Sequence, residues 1–196
     1  MRKIFAILLC CWLALTLACG IGEDGTETTE PVSAEPEYVF LLTEEEVNAN
    51  KQAIFAFLTD ELGFNYAAAC GVIANIAVES RFDPAAVGDY GTSYGLCQWH
   101  NKRYDTLISW SEANGMDYTQ LETQLWYIKY ELENNFSYVN KRMTKNIVDT
   151  RRGAYSAGNY WCINYQRPVD KVRRGDVRGE LSRNLYWYDL APLAGR

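Results

Sequence analysis

Histidine is almost missing from this chain: among 196 residues it occurs once, as His100. The six cysteines, Cys10, Cys11, Cys19, Cys70, Cys97 and Cys162, contain no C-x-x-C pair, which argues against a zinc site. A Cys–His nucleophilic pair has little to rest on. His100 follows Cys97 by only three residues and reads as the start of the next helix. No nucleic-acid-binding motif is recognisable, so no nucleic-acid partner is expected. Long apolar runs are lacking too: the longest, within residues 4–18, is too short to span a bilayer comfortably. No cofactor and no metal are expected.

What is present begins with an export signal. Arg2 and Lys3 precede the apolar run, so residues 1–18 read as a signal peptide. Leu15-Thr16-Leu17-Ala18-Cys19-Gly20 resembles a bacterial lipobox, which implies cleavage and lipidation at Cys19. Thr16 departs from the usual Leu, so secretion without a lipid is the alternative, and a retained anchor helix a lesser one. An exported protein facing the cell wall is expected, held at the membrane by a lipid anchor. Residues 19–42 have almost nothing to bury before Tyr38 and carry six acids. They read as a disordered acidic tether, or as a mere processing remnant.

The folded domain is expected over residues 43–196, as a monomer. Thr43-Glu44-Glu45-Glu46 has the form of a capping box. Val47, Ile54, Phe57, Leu58 and Leu62 follow at helical spacing, and Gly63 ends the element. The net charge of −6 hides a split. Without the two bases of the leader, the six tether acids and Glu44–Glu46, 17 basic and 16 acidic residues remain. Eleven bases crowd residues 141–183, among them Arg174, Arg178 and Arg183. They are either solvated helix faces or a lobe for anionic wall polymers. With Cys10 and Cys11 in the leader and Cys19 lipidated, three cysteines are left. These are core residues, or one pair of them forms a disulfide.

Residues 65–99 organise the chain. Ala69, Val72, Ile73, Ile76 and Ala77 recur at three- and four-residue spacing, with Asn65 as a plausible N-cap. Asp83-Pro84 cannot continue a helix, so it should end near Ser80–Arg81. Glu79 then sits in the last turn. There the helix dipole and an apolar flank both raise a carboxyl pKa, as a general acid requires. For any single Glu, an exposed place at a helix end is the commoner reading. Val87 to Leu96 has turn formers followed by alternation, the signal of a small hairpin, and closes in Cys97-Gln98-Trp99.

Glu79-Ser80-Arg81-Phe82-Asp83-Pro84, followed by Gly91-Thr92-Ser93-Tyr94-Gly95-Leu96-Cys97-Gln98-Trp99, resembles the active-site stretch of the lysozyme-like superfamily. The likeness is closest to phage-tail-type lysozymes and weaker to goose-type lysozymes and lytic transglycosylases. It is dense over residues 70–110 and fainter to about 170. The resemblance implies an α+β, mainly α fold, with a small β-hairpin beside the active-site helix. It implies cleavage of the β-1,4 bond between N-acetylmuramic acid and N-acetylglucosamine in peptidoglycan glycan strands. Glu79 would be the general acid, and Tyr94 to Trp99 would line one wall of a groove, with Gln98 toward sugar acetamido groups.

Lysozymes that use a second carboxylate have an Asp just before this Tyr-Gly-x-x-Gln run, where this chain has Ser93. Asp89 is the nearest substitute, as a base activating water or as a cap of its own turn. Positioning of the water by Ser93 instead is the alternative. Without a second acid, a lytic transglycosylase giving 1,6-anhydro ends is the alternative, and a silent wall-binding lipoprotein is another. The family often has an acid where Gln166 stands, which leaves a role there in doubt. Helices are expected near 101–115, 118–135, 137–148, 150–163 and 169–188. Their many aromatics are mostly core. Trp99 and Tyr165 are the candidates for stacking on sugar rings.

Overall fold

The computed structural model describes residues 42–191. The signal peptide, the tether through residue 41 and the lipidation site Cys19 lie outside the described residues.

Eight helices and a three-stranded sheet make up the described part, in the order expected of a mainly α, α+β chain. Helix α1 (Glu44–Asp60) opens with the capping box. Thr43 accepts from the Glu46 amide, and Glu46 accepts from the Thr43 backbone. Helix α2 (Tyr66–Ser80) is capped by Asn65, whose side chain accepts from the Ala68 amide.

Helix α2 departs from a one-sided amphipathic pattern. All of residues 67–76 are buried, so it runs through the middle of the domain. Small residues permit this. A Cβ on Gly71 would lie 2.5 Å from Ala157 Cβ and 2.6 Å from the Gly158 nitrogen. Helix α6 (Arg151–Trp161) therefore approaches α2 backbone to backbone, and α7 (Lys171–Leu181) packs against both. A Cβ on Gly158 would in turn sit 2.7 Å from the Arg178 carbonyl oxygen.

Two left-handed residues, Arg81 (φ 52°) and Phe82 (φ 67°), turn the chain out of α2. The sheet follows as β1 (Val87–Gly88), β2 (Ser93–Tyr94) and β3 (Trp99–His100), antiparallel in sequence order. It extends the expected hairpin by one strand. His100 belongs to β3, paired with Ser93, and α3 (Lys102–Ala113) starts two residues later. Helices α4 (Leu121–Asn134) and α5 (Ser137–Lys145) fall within the expected spans. The span 150–163 is continued by a π-helical turn, residues 162–166, and the last span contains another, residues 182–186, before the short α8 (Trp187–Leu190). Cys70, Cys97 and Cys162 are free, buried thiols, in agreement with core positions.

Candidate active site

The C-terminal end of α2 is tied to the sheet by the residue after Glu79. Ser80 Oγ donates to the Leu96 carbonyl at 3.0 Å and to the Ile76 carbonyl of its own helix at 3.2 Å. Leu96 is held from the other side by Gln124 of α4. Its amide donates to Gln124 Oε1 at 2.9 Å, while Gln124 Nε2 donates to the carbonyls of Pro84 and Tyr118. Gly95 has a positive φ of 73°, and a Cβ there would strike the Gln124 amide at 2.5 Å. The Glu-Ser and Gly-x-x-Gln parts of the motif are thus brought together through hydrogen bonds to backbone.

Glu79 sits at this junction with 19% of its side chain exposed. Its Oε1 accepts from Nη2 of Arg178 at 2.9 Å, and Arg178 is itself 2% exposed. Nη1 of the same guanidinium donates to the Asn75 carbonyl, one turn back along α2, at 2.9 Å. Burial pushes the Glu79 carboxyl above the ordinary glutamate range. Arg178, and more weakly Arg174, oppose the rise, and the Asp89 charge adds to it. Among the described residues, Oε2 of Glu79 has no hydrogen-bond partner.

Asp89 lies on a short 3₁₀ turn (Asp89–Gly91) between β1 and β2, with its carboxylate 71% exposed. Asp89 and Tyr90 both have left-handed backbone, at φ 48° and 55°. Such angles are uncommon in non-glycine residues and concentrate at functional sites. The Asp89 side chain reaches across its own turn to β2. It accepts from Ser93 Oγ at 2.6 Å, and Ser93 Oγ lies 3.0 Å from Nδ1 of His100. A Ser93–His100 pair across β2 and β3 therefore steadies Asp89. Tyr90, beside it, is fully exposed.

The other motif residues divide. Tyr94 is half-buried and stacks on Tyr104 at 5.1 Å, with Tyr118 edge-on at 5.5 Å. Gln98 donates its amide to the carbonyls of Ala86 and Gly95, so it clasps the loop and that donor is not available to a sugar. Trp99 and Tyr165 are fully buried, which corrects the expectation that they stack on sugar rings. Both point inward to the buried carboxylate of Glu131. Trp99 Nε1 donates to Oε2 at 2.8 Å and the Tyr165 hydroxyl at 2.6 Å. Arg103 closes the cluster with Nε on Oε1 and Nη2 on Oε2. Burying these ring donors is favourable because Glu131 satisfies them.

Sequence reasoning counted Arg178 with the bases of a solvated face or an anion-binding lobe, and passed over Glu131 and Gln124. For Arg178 a signal existed. Gly175 and Gly179 are four apart on α7 and mark the face that meets α6. A Cβ on Gly179 would lie 2.7 Å from the Tyr155 ring. Arg178 shares that face.

A mainly helical domain with a small sheet, and a partly buried Glu at the end of its central helix, define a lysozyme-like class. The sequence profile of phage tail lysozymes matches residues 49–190. The chain belongs to the phage tail lysozyme family. Among curated proteins it is similar to Morphogenesis protein 1 of Bacillus phage B103. The two are 27% identical over 136 residues, which cover 66% of this chain and 36% of that protein.

Proposed function

We propose that this chain is a peptidoglycan glycosidase that hydrolyses the β-1,4 bond between N-acetylmuramic acid and N-acetylglucosamine. The observation that carries the reading is the partly buried Glu79, raised in pKa, at the junction of α2 and the sheet. A carboxyl that stays protonated above the ordinary range can act as a general acid. Glu79 gives its proton to the glycosidic oxygen as the C–O bond breaks and the ring gains oxocarbenium character. Asp89 takes a proton from the attacking water, whose hydroxyl bonds to the anomeric carbon. Ser93 and His100 hold that carboxylate in place. Of the aromatics in the sheet segment 87–100, Tyr90 and Tyr94 reach the surface and Trp99 does not, so contact with the sugars is assigned to those two.

Signal-directed export with lipid attachment at Cys19 would put the domain beside its substrate. The test is release of reducing ends from purified peptidoglycan by the full chain and by Glu79→Gln. Activity in the parent and none in the folded variant is expected. Equal activity in both would remove Glu79 from the reaction.

A further inference from the structure

Arg178 stands among eleven bases in residues 141–183, yet it alone of the α7 arginines is buried. Its backbone is fixed before its side chain is considered. Ser182 Oγ donates to its carbonyl at 2.7 Å, and Gly158 of α6 leaves no room for a Cβ against that same carbonyl. From this anchored position the guanidinium reaches α2 and divides its donors. One goes to the Asn75 carbonyl and one to Oε1 of Glu79, each at 2.9 Å. A planar fork that holds a backbone atom and a carboxylate oxygen together leaves the carboxyl little freedom to rotate.

We propose that Arg178 is the positioning residue of this site: by holding Oε1 of Glu79 against α2, it makes Oε2 the oxygen that delivers the proton. This rests on the glycosidase reading above. The chemistry is consistent through the whole step. Arginine is not deprotonated in proteins, so Arg178 only donates. With the proton on Oε2, Oε1 still accepts from Arg178. When the proton passes to the glycosidic oxygen, Glu79 becomes a carboxylate beside a cation already in place. That contact is stronger in the transition state than in the ground state, which is the condition for raising kcat.

The charged groups that act on Glu79 are Arg178 and Arg174 from α7 and Asp89 from the sheet turn. The thiols of Cys97 and Cys162 also lie within its electrostatic reach. Removing the Arg178 charge withdraws the largest stabilisation of the carboxylate. Glu79 then keeps its proton to higher pH, so the alkaline limb of the activity profile moves upward, by about 1–3 pH units.

The experiment measures cleavage of soluble glycan strands by the full chain from pH 4 to 9, for wild type, Arg178→Gln and Arg178→Lys. The 13C-carboxyl titration of Glu79 is followed in parallel. Arg178→Gln should lose about tenfold or more in kcat with KM within about threefold, and its alkaline limb should rise. Arg178→Lys keeps the charge but cannot hold both acceptors. Its limb should stay near wild type while kcat falls. An unmoved limb in folded Arg178→Gln overturns the proposal, because a merely structural role would lower activity without moving it. If Arg178→Gln does not fold, Arg178→Lys decides: wild-type kcat overturns the proposal. A wild type with no activity overturns the glycosidase reading instead. The Glu79 titration then judges the coupling alone, supporting it by an upward move on loss of Arg178 and overturning it by none.

Discussion

Replacing Glu131 by glutamine tests whether a buried carboxylate ties the sheet to the helical body. Four donor groups converge on its two oxygens: Trp99 Nε1, the Tyr165 hydroxyl, and Nε and Nη2 of Arg103, all between 2.6 and 2.9 Å. Only 2% of the Glu131 side chain is exposed, and 29% of Arg103. Glutamine keeps the shape but has one acceptor oxygen, and its amide group meets donors. The Arg103 charge also loses its counter-charge, keeping its hydrogen bond to the Tyr165 carbonyl and its contacts over the rings of Phe136 and Tyr165. Breaking a buried pair from one side costs about 3–5 kcal/mol. That is a large part of the roughly 5–15 kcal/mol by which a domain is stable.

For a domain of this size, 1 kcal/mol moves the melting temperature by about 2–4 °C, so the expected fall is about 6–20 °C. Urea unfolding followed by circular dichroism measures the loss directly. The double variant Arg103→Met with Glu131→Met should cost less than its two singles combined, because neither charge is then left alone. It still leaves the Trp99 and Tyr165 donors unpaired, at about 1–3 kcal/mol each. A loss below about 1 kcal/mol for Glu131→Gln, or strict additivity in the double variant, would refute the reasoning.

Gly71→Ala should destabilise by about 1–3 kcal/mol, because the added methyl meets the α6 backbone. Its thermal melt should fall, and with it kcat, since α2 carries Glu79. Asp89→Asn should lower kcat by about a hundredfold or more, if Asp89 is the base, while melting hardly moves because the carboxylate is exposed. An Asp89→Asn variant with full activity would leave the turn a structural role only. The three thiols should resist a disulfide reagent in the native protein and react after unfolding. Burial raises all three, Cys70 to about 12, so thiolate is scarce at neutral pH. Fast reaction of the native thiols would contradict their placement.

The parts legible in the sequence were those decided by neighbours along the chain. Asn65 as cap, the capping box at Thr43 and Glu46, and the helix end before Asp83-Pro84 all rest on contacts within four residues. The place of Glu79 at the end of α2 followed from these. What escaped was set by distant partners. Arg178 is 99 residues from Glu79, and its burial depends on Gly158 and on the backbone of α2. Trp99 and Tyr165 carry polar atoms, and aromatic rings near a motif suggest sugar stacking. Glu131, which satisfies both and draws them inside, is 32 and 34 residues away. The all-round burial of α2 was obscured because alanine and glycine scarcely register in a hydrophobic period. The third strand was missed because His100 pairs with Ser93 across a tight turn at Gln98, whose φ is positive.

Mass spectrometry of the fragments released from purified peptidoglycan tests the central claim most directly, with the full chain beside Glu79→Gln. Muropeptides with reducing N-acetylmuramic acid ends, from the parent only, are the result predicted by acid catalysis from Glu79 and water activation by Asp89. Anhydro ends would contradict the water step and leave Glu79 in a transglycosylase. Release by neither protein, on walls of several chemotypes, would contradict the glycosidase account altogether.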